Sequence, residues 1–361
     1  MNYKKWSIRI FVAWILLIAI IGVSVIIIDP YYHFHKPLKG LTYEGENALY
    51  NNNGILRNFE YNALIIGTSM TSGFSEDEAS EMFGEKFVRT TFLGEGFYIL
   101  NQNMKTALKH QPKLHRVIRS IDTLWFVTGS DWMGTTNYPD YLYDDSHFND
   151  VKYLYNIDVW HEAMIPTITA SILPNNGKVE NSKSDDIRAA KYLNDGNALS
   201  NYKRAKKKNA AIDPNETKNY YEMMDSNLSS NLLDTIGQYP DVTFDLFFPP
   251  YSVLWWDEIN QAGPGRVDHR VDMEQYAIEK ILKYKNVHLY SFTNNYDLTC
   301  DLDNYSDDIH YKPAVNSEIL KWIYNGEYEL TEDNYKQYIN DIRTYYTTYD
   351  YDAIFDNKLG K

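Results

Sequence analysis

The chain has 361 residues with 35 Lys+Arg against 49 Asp+Glu, a formal charge of 35 − 49 = −14. Three of the cations, Lys4, Lys5 and Arg9, precede the first acidic residue, Asp29, so the chain from Asp29 onward sums to 32 − 49 = −17. A body this acidic argues against non-specific nucleic-acid binding and against a basic lipid-docking face; the single cysteine, Cys300, excludes an internal disulfide and a cysteine-rich zinc site.

Residues 1–9 read as a short basic tail. Ile10 to Ile28 carries no charge and only Ser24 as a polar side chain. At about 1.5 Å per residue this run spans about 28 Å, close to the roughly 30 Å hydrocarbon core of a bilayer. Cations before it and Asp29-Pro30 after it place the N-terminus in the cytoplasm and the remainder outside. The run is longer than a signal-peptide core and no small-x-small site ends it, so the expectation is an uncleaved, single-pass anchor. Residues 29–60 (DPYYHFHKP, then NNNGILRN) read as an irregular extracytoplasmic stalk.

From residue 61 to 330, strand-like and helix-like patterns alternate. Ala63-Leu64-Ile65-Ile66 is a continuously apolar run ending at Gly67, as a buried parallel strand should be. Ser75 with Glu78 three residues on forms a capping box, and Gly84 closes that helix. Strands are expected over 86–92, 117–127, 241–248 and 287–292, and helices over 98–110, 150–168 and 273–284. A further helix opens at Pro313, in its favoured first position. Repeated βα units predict an α/β domain with a mostly parallel sheet and helices on both faces. Residues 172–213 are polar and charge-rich, an insertion rather than a domain boundary, and 331–361 form a C-terminal helical tail.

Two motifs carry chemistry. In Ile65-Ile66-Gly67-Thr68-Ser69-Met70-Thr71, a serine follows a buried strand directly. That places it at the carboxyl edge of the sheet, where open α/β folds bind ligands. A helix after it would aim free amides at an oxyanion near Ser69. The second motif is Asp307-Asp308-Ile309-His310, after the last strand. Three residues apart in a loop, Asp307 can reach the His310 imidazole and fix the tautomer that takes a proton from a serine hydroxyl. A serine after the first strand and an Asp-x-x-His after the last can converge at one sheet edge.

This combination resembles the SGNH/GDSL hydrolase superfamily over roughly residues 60–325. The resemblance implies a flavodoxin-like three-layer αβα fold, with Ser69 as nucleophile, His310 as general base and acid, and Asp307 as orienting carboxylate; Asp308 is the alternative. The family's glycine block is matched by Phe92-Leu93-Gly94-Glu95-Gly96-Phe97, which makes Gly96 the second oxyanion donor beside the Ser69 amide, with Gly94 as rival. Where the family has Gly-x-Asn-Asp after strand three, this chain has Thr128-Gly129-Ser130-Asp131, and Ser130 would donate through its hydroxyl. With the anchor, the chain is similar to the membrane-bound DltD-like, O-acyltransferase-associated branch. That branch implies acetyl- or D-alanyl-type O-acylation of a cell-envelope polysaccharide or teichoic acid, beside a polytopic membrane-bound O-acyltransferase. An extracytoplasmic esterase and an inactive assembly scaffold are the alternatives. No metal or diffusible cofactor is implied.

Pro249-Pro250-Tyr251-Ser252 with Trp255-Trp256 follows strand four at the same sheet edge. Tyr251, Trp255 and Trp256 are therefore candidate stacking faces for a sugar, against the alternatives of core packing or a partner interface. His33 and His35 have no third metal ligand nearby and read as part of the aromatic stalk. Asp144-Asp145-Ser146-His147 with Asp150 reads as a turn and helix cap.

Overall fold

The computed structural model describes residues 3–45, 47–144, 146–173 and 192–356. Residues 174–191 of the expected insertion, Asp145 and the last five residues lie outside that set. The chain divides into two compact units: 1–60 with 106–112 and 135–187, and 61–105 with 113–134 and 188–361.

The first unit opens with helix α1, Tyr3–Ile28, 26 residues or about 39 Å long. Its most apolar 18-residue stretch has a mean hydropathy of 3.1 and is only 11% buried. It is thus long and apolar enough to cross a membrane, and it is not a helix wrapped in core. Residues 29–60 are more ordered than an irregular stalk. Helix α2, Ala48–Asn58, forms within them, capped by Asn47, whose side chain accepts from the Leu49 and Tyr50 amides. Three successive asparagines hid that helix, because Asn has poor helix propensity. The single helix expected over 150–168 is broken. Val151–Leu154 stops at Tyr155, and a new helix starts at Ile157 behind the Asn156 cap, runs through a π turn at Trp160–Met164 and ends with Ile165–Ile172. Val25, Tyr31, Tyr141, Leu142, Tyr153, Val159, Ala163 and Met164 form this unit's core.

The second unit is built on a six-stranded sheet in the order β2-β1-β3-β4-β5-β6. The strands are β1 Ala63–Gly67, β2 Phe87–Thr91, β3 Arg116–Ser120, β4 Thr243–Phe248, β5 Val287–Ser291 and β6 Glu329–Leu330. All pairings are parallel except β5 with β6. Ala63 to Ile66 are fully buried, as a continuously apolar central strand requires. Helix α3, Glu76–Phe83, starts at Ser75, whose hydroxyl accepts from the Glu78 amide, and ends at Gly84 with φ +67°. Three elements differ from expectation. β3 ends at Ser120 rather than at residue 127, since the chain turns at Thr123–Trp125. A long helix, Pro214–Leu228, continues through a π turn into Asp234–Gln238 where no element was expected. The C-terminal helix Tyr335–Thr348 buries Tyr338, Ile339, Ile342 and Tyr346, so it is part of this unit's core rather than an appendage. Strand order reverses between β1 and β3, and that is where the two chemical motifs lie.

Candidate active site

Ser69 sits two residues beyond the end of β1. Thr68 caps a single 3-10 turn, Ser69–Thr71, by accepting from the Met70 amide. A Cβ on Gly67 would fall 2.4 Å from Thr71 Cγ2 and 2.5 Å from Ser120 Oγ, so only glycine fits at the strand exit. The helix expected after this motif, α3, begins at Glu76 behind the Ser75 cap, and the 3-10 turn comes between it and β1.

His310 reaches this turn from 241 positions further along the chain. Tyr305 and Tyr311 form an antiparallel bridge, and Ser306 N donates to the His310 carbonyl at 2.8 Å, closing the 306–310 loop. Tyr311 Oη donates to the Met70 carbonyl at 2.7 Å, and Asn316 Nδ2 donates to the same oxygen at 3.2 Å. Two side chains from the histidine loop and the helix Pro313–Asn325 thus grip the residue next to Ser69.

The structure brings three predicted residues into line. His310 Nε2 lies 2.8 Å from Ser69 Oγ, and His310 Nδ1 lies 2.7 Å from Asp307 Oδ2. Asp307 Oδ1 accepts from the Ile309 and His310 amides at 2.9 and 2.7 Å. Burial works to raise Asp307, but the hydrogen bond and charge of His310, with the Tyr192 hydroxyl, outweigh it and bring its pKa down to about 2. An ionised Asp307 can only accept, so Nδ1 carries the proton and Nε2 is free to take one from Ser69. The His310 and Asp307 side chains remain 21% and 15% exposed, open to a ligand from solvent.

Asp308 points elsewhere. Its carbonyl accepts from Ser252 N and Oγ, and its carboxyl meets Glu258. Burial first, and neighbouring carboxylates second, raise both acids above the usual range.

Gly96 and Gly94 are glycines for different reasons. A Cβ on Gly96 would meet the Trp132 ring at 2.8 Å, whereas Gly94 holds φ +69° in the turn before helix α4, Phe97–His110. Ser130 is half-buried and held through its carbonyl by Asn231 Nδ2 at 2.7 Å. Because β3 ends early, Ser130 lies well past the strand end, and the residues directly after it are Ile121-Asp122-Thr123.

Asp122 is a residue the sequence reading missed. Its carboxylate accepts from Thr68 Oγ1 at 3.1 Å, Ser120 Oγ at 2.8 Å and Tyr251 Oη at 3.2 Å. It ties the residue before Ser69 to the end of β3. Burial raises its pKa, partly offset by those donors and by His310. The short apolar strand followed by an acid was the available signal, concealed by reading β3 too far. Tyr192 is the second missed residue; its hydroxyl donates to Asp307 Oδ2 at 2.6 Å, and burial, then Asp307, push it up to about 12. Nothing in sequence connects a tyrosine at the edge of a polar stretch to an aspartate 115 positions away.

The aromatic stacking faces are corrected by burial. Tyr251, Trp255 and Trp256 are 3%, 4% and 1% exposed. Trp256 stacks on Tyr346 at 4.2 Å between ring centroids, and Tyr251 is spent on Asp122. With no free face, these rings are core and cannot stack on a sugar in this arrangement.

No protein-family model matches the chain, and no curated protein does. A solved chain described as "a putative platelet activating factor from Streptococcus pneumonia" is similar at 14% identity, covering 78% of this chain and 92% of its own, with a TM-score of 0.36. A likeness that distant carries no weight for function, and the site must be read from its own geometry.

Proposed function

We propose that this chain is an acyl-transfer protein of SGNH type, anchored by α1, with Ser69 as a transient acyl acceptor. The observation that supports this most is the Ser69–His310–Asp307 chain of contacts at 2.8 and 2.7 Å. In the reaction, Ser69 Oγ attacks an acyl carbonyl while its proton passes to His310 Nε2, and that proton leaves with the departing group. An acceptor hydroxyl then gives its proton to Nε2 as it attacks the acyl-serine, and Nε2 returns the proton to Ser69. Asp307 stabilises the imidazolium in both halves. The amides of Ser69 and Gly96 are the donors assigned to the oxyanion.

The strand order and parallel pairing favour helices on both faces of the sheet, the three-layer arrangement of that superfamily. The basic residues in the first turns of α1, Lys4, Lys5 and Arg9, favour a cytoplasmic N-terminus, with the site on the outer face. Such a location suits O-acylation of an envelope polysaccharide or teichoic acid, with a polytopic O-acyltransferase as donor partner. The test is treatment of the full chain with a fluorophosphonate probe, followed by measurement of polymer-bound acyl groups in cells carrying Ser69→Ala. Loss of both labelling and acyl groups, with the protein still folded and in the membrane, is expected. Unchanged acyl content would remove Ser69 from the reaction, and a rise in acyl content would instead identify an esterase.

A further inference from the structure

We propose that the uncharged stretch 163–173 of the first unit is an interfacial membrane element, its exposed aliphatic side chains seated in the leaflet where α1 ends. The proposal rests on the reading of α1 as a membrane span. Within this unit, Tyr155 Oη donates to the carbonyl of Ile18, at 3.1 Å, in the middle of the apolar helix. The phenol lies directly over Gly22, where a Cβ would fall 2.7 Å from its oxygen. Gly22 is six residues from the end of α1, so Tyr155 sits about 9 Å inside that end. Interfacial helices bury their apolar faces about 5–10 Å into the headgroup–acyl boundary, the same depth.

The helical segment that follows Tyr155 is built for such a place. Asp158, His161 and Glu162 are confined to its first turns, and from Ala163 to Leu173 (AMIPTITASIL) there is no charge. Two of its polar side chains turn inward: Thr167 Oγ1 accepts from the Glu44 amide at 3.2 Å, and Ser171 Oγ from the Thr42 amide at 2.9 Å. What faces outward is Ile165 at 52%, Ile172 at 70% and Leu173 at 67% exposure, with Thr169 as the exposed polar side chain among them, and large aliphatics are what water-exposed helices avoid in series. Tyr43, between the two amide donors, bonds the Ile28 carbonyl through its hydroxyl at 3.0 Å, fixing this packing at the membrane end of α1. The outward aliphatics therefore continue the lipid-facing surface of α1, which favours hydrocarbon over an aqueous partner.

The test uses the full chain with Cys300→Ser, carrying Val23→Cys, Ile165→Cys or Ile172→Cys labelled with an environment-sensitive fluorophore. Each is reconstituted into vesicles of phosphatidylethanolamine and phosphatidylglycerol with or without doxyl-labelled lipid. Val23 faces outward on α1 and reports the span itself. Doxyl lipid is expected to quench residues 165 and 172 at least half as strongly as residue 23, with iodide access reduced severalfold relative to the unfolded chain. Quenching at 23 but not at 165 and 172 overturns the interfacial element and leaves the anchor intact. Protection of 165 and 172 from both quenchers means that protein covers them, and overturns it equally. No quenching at 23 overturns the anchor reading and the inference with it.

Discussion

Two aspartates, one in each unit, are built from the same local parts and do different things. Asp29 gathers the amides of His33, Phe34 and His35 at 2.9, 2.6 and 2.9 Å and a tyrosine hydroxyl, Tyr153, at 3.1 Å. Asp307 gathers the amides of Ile309 and His310 and the hydroxyl of Tyr192. The difference lies in the histidine. His310, three residues on, turns its ring back onto Asp307, while His33, four residues on, sends its ring to Asp150 at 2.9 Å. Burial dominates at Asp29 and raises its pKa, whereas the imidazole holds Asp307 ionised. An aspartate that collects amides is a loop staple; it becomes part of a proton relay only when a ring shares the same carboxylate and a hydroxyl waits beyond it.

Three single changes and one pH series can break or sharpen that contrast. The largest effect is expected from Asp307→Asn, which keeps the loop but presents the wrong hydrogen-bonding partner to Nδ1. The rate of Ser69 acylation by an activated ester should fall on the order of 10³–10⁴-fold, against less than about threefold for Asp308→Asn. Equal losses from the two would return the orienting role to open question. Next is Asp29→Ala, which strips three amides and the Tyr153 hydroxyl of their acceptor. A stability loss of about 3 kcal/mol is expected in a denaturant series on the detergent-solubilised chain, with serine labelling unchanged in the folded fraction.

Glu274 extends the comparison to a carboxyl with hydroxyl donors and no imidazole. It is buried with Tyr338 and Ser291, and burial brings its pKa up to about 7 against the donors and Arg270. A raised folded-state pKa means the native state holds the proton longer than the unfolded one. Stability should therefore decline as pH rises from about 4.5, the unfolded value, through about 7. Unfolding midpoints between pH 5 and 8 should show a drop of a few degrees that Glu274→Gln flattens; a profile identical in the variant would sink the assignment. The smallest effect belongs to Tyr192→Phe, which removes one donor from Asp307 while leaving the ring pair in place. Acylation should slow about three- to tenfold with a displaced pH–rate profile, and an unmoved profile would make Tyr192 purely structural.

Sequence made some of this readable. The Ser75–Glu78 capping box and Gly84 marked α3 almost to the residue, because caps act over one turn and their residue types are few. Ser69 and the Asp307–His310 pair were legible because a buried strand ending in Gly67 and a three-residue spacing are local facts. The helix at Ala48–Asn58 and the early end of β3 were not, since an asparagine run and a long apolar stretch each fit more than one conformation until packing selects one.

By itself, then, the sequence determined an apolar run long enough to span a bilayer, an alternating α/β order, and two motifs with the right chemical groups. Those follow from hydrophobic periodicity and turn chemistry, which operate within a few residues. Only tertiary structure decided that Ser69 and His310 stand 2.8 Å apart across 241 positions, that Tyr192 and Asp122 brace the relay, and that Tyr251, Trp255 and Trp256 are core. Those outcomes depend on which buried faces pack together, and contacts between distant segments leave no short-range signature in the chain.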